Sequence, residues 1–137
     1  MINTSKSAVI VSLALMVSLT APASADDRQT YTCSTMSLLN AGNDQDFIEA
    51  NLEKRFLIQV GDEEIHVLVS SPRFNDHNKI YRVFHTSGGK IYGIERSSVN
   101  VGVLALSEMY FRGAYQATIT VQTPLHGTVW KLSCQKF

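Results

Sequence analysis

The 137-residue sequence lacks the excess of positive charge that binding to nucleic acids requires. Its 12 Lys and Arg residues balance 12 Asp and Glu residues, so the formal net charge is zero, and no basic patch appears along the chain. Proteins that neutralise nucleic-acid phosphates carry a clustered surplus of Lys and Arg. The composition therefore predicts that the protein has no nucleic-acid partner.

Catalytic motifs are also missing. There is no G-x-S-x-G sequence for a serine nucleophile, and no two carboxylates have a spacing that would bring them to one cleft. The run Ser87–Lys90 is too short for a phosphate-binding loop, which has the pattern G-x-x-x-x-G-K-[ST] and leads into a helix. We therefore expect no enzymatic activity and no cofactor.

The four histidines show none of the spacings that prepare a metal site. Neither H-x-H nor H-x-x-x-H occurs among His66, His77, His85 and His126. His66 and His85 fall on predicted neighbouring strands, and whether they meet is left open by the sequence. We expect no metal site.

A long hydrophobic run occurs only near the start of the chain. The apolar segment Ala8–Leu19 follows Lys6 and precedes Ala23–Ala25, a small-x-small cleavage motif. This segment is shorter than the roughly 20 residues that span a bilayer. The pattern predicts a signal peptide, Met1–Ala25, and a mature chain that begins at Asp26, has no transmembrane segment and is exported to the periplasm or the extracellular space.

Cysteine is scarce, with Cys33 and Cys134 at opposite ends of the mature chain. Redox-active pairs usually have the spacing C-x-x-C, and zinc sites use four nitrogen or sulfur ligands. Exported proteins meet an oxidising environment, in which two thiols form a disulfide. The sequence therefore predicts a Cys33–Cys134 disulfide.

Apolar and polar residues alternate along most of the mature chain, and turn-forming residues interrupt this alternation at short intervals, which is typical of antiparallel strands. Between the first two strands, Asn43–Lys54 is either a short helix with Asn43 or Asp44 as its N-cap or a long polar loop. The eight predicted strands are Gln29–Leu38, Arg55–Val60, Glu64–Ser70, Lys79–Thr86, Lys90–Arg96, Gly102–Met109, Arg112–Gln122 and Thr128–Gln135.

Eight short strands with short connections predict a single all-β domain, residues 26–137, with an antiparallel meander topology. The meander would either close into a small barrel of the lipocalin type or form a bent sandwich. Closure would make the first and last strands neighbours, which fits a disulfide between them. The interior of such a barrel is either filled with side chains or holds one small ligand.

Two turns combine glycine with aromatic and cationic residues, a composition that is favoured at binding surfaces. One is the hairpin around Gly88 and Gly89, which Tyr81 and Tyr92 flank on paired strands, where they could stack. The other is the turn Tyr110–Gly113. The candidate binding residues are Ser87, Gly88, Gly89, Lys90, Tyr92, Tyr110, Phe111 and Arg112.

Three short patterns resemble the periplasmic inhibitors of C-type lysozyme. They are Tyr31-Thr32-Cys33 near the start, Ser87-Gly88-Gly89-Lys90-Ile91-Tyr92, and Cys134 in the last strand. The resemblance implies a small β-barrel whose Ser-Gly loop, together with a later lysine, enters the lysozyme cleft. No later lysine of this sequence stands in a matching motif.

The sequence therefore predicts an exported, non-enzymatic binding protein whose partner is either a protein at the loops or a small apolar ligand inside the barrel. The alternative hypotheses are a periplasmic inhibitor of a lysozyme-like cell-wall hydrolase and a structural factor of the cell envelope.

Overall fold

The computed structural model describes residues 28–40 and 44–137. The predicted signal peptide, Met1–Ala25, lies outside the described residues. Within the described part the chain forms eight strands and one helix in the order β1 (Gln29–Asn40), α1 (Gln45–Leu52), β2 (Arg55–Val60), β3 (Glu64–Ser70), β4 (His77–Ser87), β5 (Lys90–Arg96), β6 (Val101–Phe111), β7 (Ala114–Gln122) and β8 (Gly127–Lys136).

The strands form a closed antiparallel barrel. Each strand pairs with the next one along the chain, and β1 closes the barrel by pairing with β8. The meander predicted from the alternating pattern is confirmed, and of the two predicted architectures the chain adopts the barrel. Among the strands of the described residues, closure leaves no unpaired edge, which in an open sheet would invite aggregation.

The interior of the barrel is filled with side chains. The alternation places every second residue of a strand inside, because successive side chains of a strand point to opposite faces. Tyr31, Ile58, Ile65 and Leu104 are fully buried in this core. The other buried members are Cys33, Phe56, Val60, Val67, Val69, Tyr81, Ile91, Leu106, Ala117, Ile119, Trp130, Leu132 and Cys134.

A disulfide joins Cys33 and Cys134, as predicted. The two residues are directly opposite each other in the pairing of β1 with β8. Beside them, the backbone N–H of Phe137 donates to the carbonyl oxygen of Thr30 at 3.0 Å. The disulfide therefore ties together the two strands that close the barrel.

The segment between β1 and β2 is a helix rather than a polar loop. Asp44 is the N-cap, and its side chain accepts a hydrogen bond from the backbone N–H of Phe47 at 3.1 Å. The hydroxyl of Thr35 on β1 donates to the carbonyl oxygen of Asn51, which holds the end of α1 against the barrel. No helix formed by the described residues is long and apolar enough to cross a membrane.

Alternate connections of a meander lie at the same end of the sheet. The turns that follow β2, β4 and β6 therefore share one end of the barrel, which we call the hairpin end. The helix α1 and the connections that follow β3, β5 and β7 share the other end, which we call the loop end. This arrangement decides which of the predicted site residues become neighbours.

Several strand boundaries differ from the prediction. β4 begins at His77 rather than Lys79, because His77 and Asn78 pair with Val69 and Leu68 of β3 despite their polar character. β7 begins at Ala114, so Arg112 lies in the turn and not in the strand. β6 continues through Phe111, where the prediction had placed a turn.

Candidate binding site at the hairpin end

The turn between β4 and β5 is the tight hairpin that its two glycines predict. Gly88 and Gly89 have φ angles of 59° and 69°, a left-handed conformation that glycine adopts without steric cost. Ser87 and Lys90 pair directly on either side of them. The tip of this hairpin therefore presents backbone with very little side-chain cover.

The turn between β6 and β7 has the same two-residue form, but its first position is not glycine. Arg112 has a φ angle of 51° and Gly113 one of 85°. A left-handed conformation costs an ordinary residue roughly 1–2 kcal/mol. Backbone strain of this kind is found preferentially at functional sites, so Arg112 is a candidate for a functional role.

The two hairpins lie side by side. The backbone N–H of Glu108 on β6 donates to the carbonyl oxygen of Gly89 at 2.7 Å. A Cβ atom on Gly89 would lie 3.6 Å from Cγ of Met109. The structure thus brings together the two candidate turns, which are separated in the sequence.

Three neighbouring residues at the end of β6, Met109, Tyr110 and Phe111, form an exposed apolar patch that we call the rim patch. Their side chains are 61%, 60% and 55% exposed, respectively. The register of the pairing between β6 and β7 shifts between Ser107 and Phe111, so the regular ladder is interrupted beside these residues. Large apolar side chains that remain exposed together commonly mark a binding surface.

A column of aromatic rings supports the rim patch from inside the barrel. The buried ring of Tyr31 packs edge-on against Tyr115 at 5.4 Å between centroids. Tyr115 in turn packs edge-on against Tyr110 at 5.1 Å. Tyr110 is therefore held in place from below although its outer face is open to solvent.

Two cationic side chains lie over aromatic rings at this end of the barrel. The Arg112 guanidinium lies 5.0 Å from the centroid of the Phe111 ring. The Lys136 ammonium lies 5.8 Å from the centroid of the Tyr31 ring. Both distances are within the range of cation–π contacts, so this end of the barrel combines aromatic surface with positive charge.

Tyr92 does not stack on Tyr81, and that prediction is wrong. A bulge between Val83 and His85 shifts the pairing of β4 with β5, so that Tyr92 is opposite His85. Tyr81 is only 2% exposed and belongs to the core. Tyr92 lies on the outer surface, where its ring centroid is 6.3 Å from that of Phe84 and 5.7 Å from that of His85.

A groove runs from the first hairpin across the outer face of the barrel. It has a volume of about 360 Å³ and continues from Lys90 and Tyr92 to Lys131 and Met36. No Asp or Glu is among its lining residues. The groove is therefore an outer surface of positive charge that is continuous with the hairpin end.

A second cavity, of about 410 Å³, opens at the mouth of the barrel beneath the hairpins. Polar and charged side chains contribute much of its wall, including Asp62, Thr86 and Glu108, while Val83 and Ile91 form part of its floor. Its size falls within the range of ligand pockets, but pockets for apolar ligands have mainly apolar walls.

The histidines do not converge on one point. His66 is opposite Ile80 in the pairing of β3 with β4, and His85 is five residues further along β4, which is a separation of roughly 16 Å along a strand. The Nε2 atom of His66 instead contacts the Glu64 carboxylate at 3.2 Å. Among the described residues, no three His, Cys, Asp or Glu side chains are grouped so that they could hold a metal ion.

All eight candidate binding residues lie at or next to the hairpin end. Sequence reasoning missed Met109, the supporting Tyr115 and the cation Lys136. A signal for Met109 existed, because the alternation of apolar residues in β6 is lost after Leu106 and two aromatic residues follow Met109.

Comparison of the chain with protein-family models, curated proteins and solved structures finds no match.

Replacing Arg112 with Asn is expected to stabilise the protein. Asn tolerates the left-handed conformation, and Asn-Gly is a preferred pair in turns of this type. Relief of the backbone strain should raise the free energy of unfolding by about 1 kcal/mol. Loss of the cation–π contact with Phe111 should lower it by about 0.5 kcal/mol. The thermal midpoint should therefore rise by about 2–4 °C.

The control for this prediction is Arg112→Ala, which loses the same ring contact and keeps the strain. Scanning calorimetry should find the Ala variant no more stable than the wild type. A midpoint for Arg112→Asn below that of the wild type would contradict the assignment of strain to Arg112.

Proposed function

We propose that this chain is an exported, non-enzymatic binding protein whose hairpin end engages a protein partner. The observation that carries the proposal is the exposed rim patch, Met109–Phe111, beside the Gly88–Gly89 hairpin. Aromatic residues and arginine in such a setting are enriched among the residues that dominate binding energy. Tyr110 is held in place by Tyr115, so little conformational entropy would be lost when a partner covers it.

Two features support export to the periplasm or the extracellular space. The segment Met1–Ala25 has the pattern of a cleavable signal peptide. The Cys33–Cys134 disulfide fits an oxidising compartment, in which such bonds persist.

The charge distribution favours a partner with an acidic surface. The groove on the outer face is lined by Lys90 and Lys131 and by no carboxylate. Asp62 and Glu108, two carboxylates of the hairpin end, line the mouth of the barrel instead. A groove with charge of one sign attracts a partner of the opposite sign and makes association sensitive to salt.

A small apolar ligand inside the barrel receives less support. Side chains fill the core, and a cavity inside the loop end measures about 40 Å³, whereas ligand pockets usually measure several hundred. The larger cavity at the mouth has charged walls.

Inhibition of a lysozyme-like hydrolase is the second candidate function. The geometry that favours it is the narrow tip of the Ser87–Lys90 hairpin, which is a suitable shape for insertion into a cleft. Clefts of glycoside hydrolases hold a pair of carboxyl groups, to which Lys90 and Arg112 would be attracted.

The general proposal is tested by comparing variants in a capture experiment with envelope extract from the source cells. Wild-type protein should retain a partner that the double variant Tyr110→Ala, Phe111→Ala does not retain. Leu125→Ala is the matched control, because Leu125 is an equally apolar, exposed residue at the loop end. The purified partner should then bind the wild type at least tenfold more tightly than the double variant, and binding should weaken as salt is added.

Equal capture by all three proteins would contradict the proposal, as would recovery of a lipid-like compound in near-equimolar amount from an organic extract of the purified protein. The inhibitor hypothesis has its own assay, which is hydrolysis of peptidoglycan by a C-type lysozyme. Stoichiometric inhibition that Ser87→Arg weakens without lowering the thermal midpoint would support it. Unchanged hydrolysis in the presence of excess wild-type protein would exclude it.

A further inference from the structure

The groove on the outer face of the barrel forms because small side chains lie between large ones. Its floor is on β6 and β7, where Ala105 and Thr118 are directly opposite each other. On one side Tyr92 is opposite Ala105, and on the other side Lys131 is opposite Thr118. Because neighbouring strands are about 4.8 Å apart, the backbones that carry the two walls are roughly 14 Å apart. This distance leaves room for a chain-like ligand above the floor.

Strand irregularities border the groove on both sides. The bulge in β1 leaves Met36 without a partner on β8, so that the consecutive side chains of Met36 and Ser37 both line the groove. The bulge in β4 brings the rings of Phe84 and His85 against Tyr92 in the opposite wall. Bulges redirect side chains and are over-represented next to functional sites. The two bulges therefore point to this part of the outer face as a binding surface.

The two lysines of the groove have no compensating charge. Neither the Lys90 nor the Lys131 ammonium forms an ion pair or a hydrogen bond with the described residues. No Asp or Glu lines the groove. Lys90 lies in the wall on β5 and Lys131 in the wall on β8, so both walls attract a ligand that carries negative charge.

Polar side chains on the floor are available for hydrogen bonds. The amide of Gln116 and the hydroxyl of Thr118 make no hydrogen bonds with other described residues. The hydroxyl of Ser107 accepts a hydrogen bond from the backbone N–H of Met109 at 3.3 Å, and none of the described residues accepts its proton. Gln116 and Thr118 are two residues apart on β7, or about 7 Å, which equals the spacing of alternate residues in an extended peptide.

We propose that this groove binds an extended acidic segment of the protein partner that the rim patch engages. This inference rests on the proposed function. The floor joins the rim patch at Ser107 and Met109, which are two residues apart on β6, so one partner can cover both surfaces. Acidic side chains of the segment would pair with Lys90 and Lys131, and its backbone amides would form hydrogen bonds with the polar side chains of the floor.

A synthetic peptide tests the groove separately from the rim patch. The probe is a capped six-residue peptide of alternating Glu and Ser, which is titrated into the ¹⁵N-labelled protein at low ionic strength. The amide cross-peaks of Ala105, Ser107 and Thr118 should shift in a saturable way, and added salt should weaken the binding. The same peptide with Gln in place of Glu should not reach saturation. An acidic peptide that leaves these cross-peaks unchanged would overturn the proposal.

The double variant Lys90→Gln, Lys131→Gln is expected to bind the acidic peptide at least fivefold more weakly. Arg82→Gln is the matched control, because Arg82 is an exposed cation on β4 that lines a different depression and forms no ion pair with the described residues; its affinity should equal that of the wild type. Equal affinity in the double variant would overturn the proposal. Tighter saturation of the same cross-peaks by a trimer of galacturonic acid would also overturn it, because the groove would then belong to an acidic glycan.

The purified partner distinguishes this inference from the proposed function. The double lysine variant should bind the partner at least fivefold more weakly than the wild type and with a weaker dependence on salt, whereas Arg82→Gln should bind like the wild type. Unchanged binding by the double lysine variant would overturn the assignment of the groove and leave the rim patch as the binding site. Unchanged binding by the variant Tyr110→Ala, Phe111→Ala would instead contradict the proposed function itself.

Discussion

Removal of the Cys33–Cys134 disulfide is expected to lower the thermal midpoint by well over 10 °C. The two cysteines are 101 residues apart in the sequence. In the chain-entropy model, the release of a loop of about this length costs roughly 4–5 kcal/mol. For a domain near 100 residues, each kcal/mol corresponds to about 4–8 °C. The loss should be large because the bond joins the strands that close the barrel.

The measurement is scanning calorimetry of the wild type and of the double variant Cys33→Ser, Cys134→Ser. A reducing agent serves as the control, since it should lower the midpoint of the wild type and leave that of the variant unchanged. Without reducing agent, a difference of less than about 3 °C between the thermal midpoints of the wild type and the double variant would mean that the hydrogen bonds between β1 and β8 hold the barrel closed without the disulfide.

The second large effect is expected at Gly93, where an added methyl group has no room. Gly93 lies on β5 with its missing side chain directed into the barrel, and a Cβ atom there would be 2.8 Å from Cβ of Tyr81 and 3.1 Å from Cδ1 of Ile65. The Cβ atom of Tyr81 is fixed to the backbone of β4, so no change of rotamer relieves the clash. We expect Gly93→Ala to cost about 2–3 kcal/mol, or roughly 10–20 °C in thermal midpoint.

Gly102→Ala is the matched control for this prediction. Gly102 is also a buried glycine of the barrel, but its added Cβ would meet Oε2 of Glu95 at 3.0 Å and Cε1 of Tyr81 at 3.2 Å. The nearest of these atoms, Oε2 of Glu95, is the end of a flexible side chain that can move, whereas the nearest atom at Gly93 is fixed to the backbone, so we expect a smaller loss of stability. Similar losses of stability in the two variants would show that the backbone of β4 moves to accommodate a Cβ atom as easily as a side chain does.

The strands could be predicted from the sequence because their alternation has one dominant cause. A closed barrel buries one face of each strand, so Phe56, Ile58 and Val60 repeat at every second position, as do Ile65, Val67 and Val69. The disulfide followed from the number and position of the cysteines. The choice between barrel and sandwich could not be predicted, because both bury the same alternating residues.

The irregular positions were not predictable in the same way. The bulge between Val83 and His85 inserts one residue without a distinctive composition, and it moves Tyr92 away from Tyr81. The left-handed Arg112 is similarly hidden, since arginine rarely occupies that position. The binding site was partly predictable, because each turn had a recognisable composition. The contact between the two turns depends on the extension of β6 through Phe111, which the sequence did not predict.

The way the barrel closes also determines the order in which it can fold. Seven of the eight strand pairings join neighbours along the chain, whereas the pairing of β1 with β8 joins segments about 100 residues apart. Short-range pairings form early because closing a short loop loses little chain entropy, and the most distant pairing is the slowest to form. The seam between β1 and β8 should therefore be the last part of the barrel to assemble. Oxidation of Cys33 and Cys134 by an added disulfide oxidant, which takes up the two electrons and two protons of the thiols, would then form a covalent bond after folding. The rate of thiol loss after dilution from denaturant into excess oxidant would report on barrel closure.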